Sequence, residues 1–211
     1  MRHGRVAYFD QGRPLPQHDV PLTPDGREDA QAAAAALDGI RFDRVITSDL
    51  RRTIETARIV APELEPEQWP ELREIEAGRL SDIPEEELER TFTEAWRGVV
   101  PEDVRFLGGE SIRSLLDRVL PAVDRIVADP EWDVLLAVLH GGVNRAILSY
   151  ALTGGRAFLG NFEQAPACVN VLDVGGDWVV RAVNHAPWDP THTRGRLRTM
   201  EELWSEFRAG A

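Results

Sequence analysis

Three short stretches carry side chains that could handle a phosphoryl group. The chain opens with Arg2-His3-Gly4. A guanidinium can grip phosphate oxygens in bidentate fashion. A neutral imidazole beside it offers a nucleophilic nitrogen at neutral pH, and a glycine lets the backbone approach a ligand closely. The second stretch is SDLRRTIETA, in which Arg52 falls in the first turn after the apolar run DRVIT. The third is VLHGGVNRAIL, in which His140 stands between an apolar run and the pair Gly141-Gly142. The helix N-terminus that follows His140 presents backbone N–H groups and a positive dipole end, both favourable to an anion. Singly, each feature has a plainer reading. A terminal histidine, a solvated helix arginine and a hydrogen-bonded interior histidine are all commonplace.

The segments that must position these groups alternate between helix and strand, which predicts an α/β layer fold with a largely parallel sheet. Residues 23–38 read as a helix, with Thr23 as N-cap, Pro24 in the first turn and Gly39 after the end. Residues 43–47 read as a buried strand, followed by a helix capped by Ser48 or Asp49. Residues 84–98 read as a charged surface helix. Residues 110–128 are strongly amphipathic, and Pro121 inside that pattern predicts a kink. The run at 133–139 has strand length, and the next helix begins after Gly142. The stretches on either side of Gly175-Gly176 predict a hairpin, and 199–208 a final helix. If the strands at 43–47 and 133–139 are parallel, Arg52 and His140 share the sheet's carboxyl-end rim, where open α/β sheets bind ligands.

Composition narrows the partners. The chain has 211 residues, 43% of them apolar, and a formal net charge of −12. This length suits one domain, and no apolar run approaches the ~20 residues of a membrane span. The acidic balance argues against nucleic acid and anionic membrane as partners. A single cysteine, Cys168, rules out an internal disulfide, fits a cytoplasmic setting and reads as buried rather than reactive. His18, His185 and His192 have no pattern that singles them out. The tryptophans, Trp69, Trp132, Trp178 and Trp188 among them, read as packing residues.

RHG at the start, SDLRRTIETA, LREIEAG, GGES before a long helix and VLHGGVNRAIL occur in an order that resembles the histidine phosphatase superfamily, which includes the cofactor-dependent phosphoglycerate mutases. The resemblance implies a three-layer α/β/α fold, a single domain over 1–211 with a small helical cap insertion at about 79–108, and no cofactor or metal. It implies a phosphohistidine mechanism in which His3 takes the phosphoryl group. Arg2, Arg52 and Gly141 bind phosphate, His140 is the second pocket histidine in its protonated form, and Glu74 is the proton donor. The register of the motifs selects Arg52 over Arg51 and Glu74 over Glu76. Members often continue RHG with an acidic and a polar contact. Here Arg5, Val6 and Phe9 stand at those positions.

The expected activity is hydrolysis of a small phosphorylated metabolite, with a homodimer left open. A phosphoglycerate mutase is the alternative. The stretch between Gly78 and Gly108 is short, holds few basic residues and many acidic ones, and shows no basic stretch of the kind expected to grip a mutase substrate. An inactive phospho-ligand or protein-binding module is the alternative of another class. Members also have an apolar strand directly before RHG, whereas only Met1 precedes Arg2 here. The first strand is therefore expected to be truncated, with His3 on a loosely held terminus.

Overall fold

The structure is a computed structural model that describes residues 1–10, 13–15, 19–193 and 197–209. His18 lies outside the described residues. The chain starts with a two-residue ribbon, β1 (Phe9–Asp10) against β2 (Arg13–Pro14). Helix α1 (Pro24–Ala36) follows, with the Thr23 hydroxyl accepting from the Gly26 amide at 3.0 Å and proline in the first turn. Gly39 then takes φ +81°, a conformation that favours glycine.

The central sheet has the order β4 (Glu67–Gln68), β3 (Arg44–Thr47), β5 (Leu135–Val138), all parallel. β3 and β5 pair in register from Arg44–Leu135 to Thr47–Val138, so both strands end on the same edge. Strand side chains alternate between faces. Val45, Leu136 and Val138 face one core with Ala33 of α1 and with Ala57 and Val60 of α2 (Arg51–Val60). Ile46 and Leu139 face the other core, with α4 (Ile112–Val127) and α5 (Gly141–Thr153). That is the expected three-layer arrangement. α4 buries the predicted stripe of Leu115, Leu116, Val119, Val123 and Ile126, and continues through Pro121 as one helix.

The hairpin is β6 (Val169–Asp173) with β7 (Val179–His185), and α6 (Thr199–Ala209) closes the described chain. The expected charged surface helix is shorter, α3 (Glu85–Thr93). It is also less superficial, because Leu88 and Phe92 are buried and α3 packs on α6. The high acid count on its outer face hid that apolar edge.

The N-terminal tripeptide is far from loose. Arg2 bridges Leu139 in parallel fashion, the Leu139 amide donates to Met1 O at 2.8 Å, and the His3 amide donates to Leu139 O at 2.9 Å. On its other side the Arg2 amide donates to Cys168 O at 3.0 Å, and the Ala167 amide to His3 O at 3.0 Å. Residues 1–3 thus bridge β5 and the approach to β6. Beyond them a cavity of about 380 Å³ extends between these elements, lined by Met1, Leu136, Val169 and Leu172 among others. The expectation of a loosely held His3 is corrected: backbone bonds on both flanks fix it without a full strand.

Candidate active site

The carboxyl ends of β3 and β5 deliver Ser48 and His140 to one place, with Ser48 Oγ 2.8 Å from His140 Nε2. Ser48 also accepts from the Leu50 amide at 3.2 Å. The N-cap of α2 is Leu50, without a side-chain cap, so the predicted capping by Ser48 or Asp49 does not occur. Ser48 instead orients the histidine, and Asp49 pairs with Arg73. The two-residue offset carries Arg52 into the buried first turn of α2, where it is 1% exposed. Arg51 lies outside, paired with Asp19 and Glu55.

His3 and His140 meet edge to face, their ring centroids 5.2 Å apart. His3 Nδ1 lies 2.7 Å from the Gly4 carbonyl. A carbonyl only accepts, so Nδ1 carries the proton and Nε2 keeps its lone pair. Gly4 is required at this turn, because a Cβ there would come within 2.3 Å of the Gly26 carbonyl. Arg2 donates to Gln164 O at 2.5 Å. Arg2 Nε and His140 Nδ1 are buried without a hydrogen-bond partner among the described residues.

Glu74 sits at the start of α5. Its Oε1 accepts from the Gly142 amide at 3.0 Å and from the Ile75 amide at 3.0 Å. A Cβ on Gly142 would come within 2.6 Å of Glu74 Oε1, so glycine lets the carboxylate in. A Cβ on Gly141 would stand 3.7 Å from both Arg2 Nε and Glu74 Oε2. The structure thus gathers Arg2, His3, Arg52, Glu74, His140 and Gly141 in one place, and leaves Arg51 and Glu76 exposed.

Burial, Arg52 and Arg2 hold His3 well below the usual histidine range. Burial and Arg52 first, then His3 and Arg2, do the same to His140. The same shift opposes the protonated form expected of His140. This has a consequence for stability. An unfolded histidine takes up a proton as pH falls through about 6.5, while these two stay neutral until much lower pH. Below that point the unfolded chain binds more protons, so stability is lost on acidification. Each histidine is expected to cost up to about 1.4 kcal/mol per pH unit below pH 6.5. Urea unfolding at pH 7, 6 and 5 measures this. A His3→Gln/His140→Gln double variant should show a visibly flatter slope, and an unchanged slope would place the dependence elsewhere.

Several contributors were not read from the sequence. The Tyr8 hydroxyl is 3.4 Å from His3 Nε2. Arg118 donates to the carbonyls of Glu71 and Arg73, both at 2.7 Å, and to that of Glu74 at 3.2 Å. Glu110 pairs with Arg118 and accepts from the Glu76 amide, so this pair clamps the loop that carries Glu74. Glu110 belongs to the GGES motif, which was a signal available in the sequence. Trp96, under the guanidinium of Arg145 at 4.5 Å, lines the same cavity. Arg5, which stands directly after the opening tripeptide, pairs with Asp29 and lies over Trp188.

The histidine phosphatase superfamily (branch 1) description matches residues 1–186. The chain belongs to this superfamily. It is 31% identical over 163 residues to phosphoglycerate mutase-like protein 4 of Arabidopsis thaliana, covering 74% of this chain and 71% of that one. Among solved structures, Bacillus stearothermophilus YhfR superposes with TM-score 0.67 at 26% identity, covering 86% of this chain and 93% of that one. The alpha-ribazole phosphatase of Shigella flexneri shares the fold, with TM-score 0.68 at 24% identity over 87% and 94% of the two chains. No helix among the described residues is long and apolar enough to cross a membrane.

Proposed function

We propose that this superfamily member is a metal-independent phosphomonoester hydrolase working through phospho-His3. The observation that carries the reading is the buried cluster itself. A nucleophilic His3 Nε2 stands with two buried arginines, beside Arg2 Nε and His140 Nδ1, two polar atoms whose burial without partners is costly. A phosphate dianion would satisfy those atoms and neutralise the arginines. His3 Nε2 attacks phosphorus in line as the bond to the leaving oxygen breaks, and Glu74 gives that oxygen a proton. Water then attacks phospho-His3 and gives its proton to Glu74, releasing inorganic phosphate and restoring His3. Arg2 and Arg52 stabilise the charge spread over the equatorial oxygens, the role a metal ion has elsewhere. The Gly141 amide, at the start of α5, adds a dipole end. Residues 79–108 act as a small cap over the phosphate end. Hydrolysis is favoured over mutase action because the cavity wall, among the described residues, offers no cation beyond Arg2, Arg52 and Arg145 for a substrate carboxylate.

Two results test this. Turnover of p-nitrophenyl phosphate should persist in excess EDTA, and loss restored by Mg²⁺ or Zn²⁺ would refute metal independence. Glu74→Gln should lower kcat/KM, which reports phosphoenzyme formation, by roughly 10²–10⁴-fold for alkyl phosphates and far less for p-nitrophenyl phosphate, because p-nitrophenolate leaves with little protonation. Equal losses would move the acid role to another group.

A further inference from the structure

The phosphate end of the site opens into a cavity of about 210 Å³. Its described charged lining is Arg2, Arg52, Glu74 and Arg145. The first three serve the phosphoryl group on the reading above. Arg145 is 2% exposed and already engaged: it donates to the Gly141 and Gly160 carbonyls, lies 3.7 Å from Glu163 and stacks on Trp96. What remains of the wall is mainly apolar, built from Ile75, Phe92, Trp96, Phe106, Leu107 and Leu203. Trp96 and Phe106 stack with centroids 4.9 Å apart, so the aromatic surface is fixed before any ligand arrives. A second anionic group on a substrate would be desolvated there against carbon. A ring or branched alkyl group would be buried against matching surface.

We propose that the enzyme's substrates are phosphomonoesters of uncharged, apolar, ring-bearing alcohols, and that small phosphorylated acids are poor substrates. This rests on the phosphohydrolase reading of the same site. The apolar wall takes the alcohol portion, and only the phosphate carries charge.

The test compares three alkyl phosphates, so that leaving-group chemistry stays similar: benzyl phosphate, ethyl phosphate and 3-phosphoglycerate. Benzyl phosphate should exceed ethyl phosphate by roughly 10- to 100-fold in kcat/KM, from burial of the ring. 3-Phosphoglycerate should fall below ethyl phosphate. Leu203→Lys, which brings an ammonium to the wall, should shrink the ratio of benzyl phosphate to 3-phosphoglycerate by at least roughly tenfold. Alkali-quenched phosphohistidine is measured alongside. Phosphohistidine formation with equal turnover of all three, or with 3-phosphoglycerate preferred, overturns the substrate class and leaves the hydrolase reading standing. No phosphohistidine and no phosphate release from any of them overturns the hydrolase reading, and the inference with it.

Discussion

His3→Ala is expected to lower kcat for p-nitrophenyl phosphate by about 10⁴-fold or more, the scale seen when a covalent nucleophile is removed from other enzymes. His3 Nε2 is the only nitrogen of that ring with a free lone pair, because Nδ1 carries the proton and donates a hydrogen bond to Gly4 O at 2.7 Å. Truncation leaves the two arginines and Glu74 in place, so substrate can still bind but nothing accepts the phosphoryl group. The variant should fold, because the bonds that pin residue 3 are made by its backbone to Leu139 and Ala167. Stopped-flow turnover together with a circular-dichroism melt separates the two possibilities. A well-folded variant with near-normal kcat would remove His3 from the mechanism.

Arg52→Ala is expected to cost roughly 10³-fold or more, the scale associated with removing an arginine from a phosphoryl-transfer site. Arg51→Ala should stay within about twofold, because surface ion pairs contribute little. The contrast is sharp because the neighbours occupy opposite environments. Arg52 is 1% exposed and acts on both pocket histidines, whereas the Arg51 side chain is 46% exposed and pairs with Asp19 and Glu55. Steady-state kinetics on both variants reads the register of α2 directly. Equal losses, or a larger loss for Arg51→Ala, would contradict the assignment.

Much of this site was legible because its signals are local. An apolar run followed by a polar turn and a helix marks a strand that ends at a ligand rim, and this pattern placed Arg52 and His140 at the ends of two strands that prove to be parallel. Motif register separated Glu74 from Glu76 and Arg52 from Arg51. What escaped depends on distant pairs. Nothing near Arg118 announces that it clamps residues 71–74, more than forty positions away. Ser48 looked like a cap because serine commonly caps, and tertiary pairing with His140 claimed it instead. The charges of α3 masked Phe92, since composition counts the solvent face as heavily as the buried one. How firmly residues 1–3 are held was misjudged. Two flanking segments hold the tripeptide, and that support appears only when β5 and residues 167–168 are placed together.

The most direct test is the phosphoenzyme. Glu74→Gln should form it rapidly from p-nitrophenyl phosphate, whose leaving group needs little proton, and break it down slowly, because water then lacks its base. The variant is mixed with substrate, quenched in alkali where phosphohistidine survives, digested and analysed by mass spectrometry. The expected result is one phosphoryl group on the peptide that carries His3, lost with time as inorganic phosphate appears. A phosphoryl group on another residue, or continued turnover with His3 never modified, would contradict the mechanism.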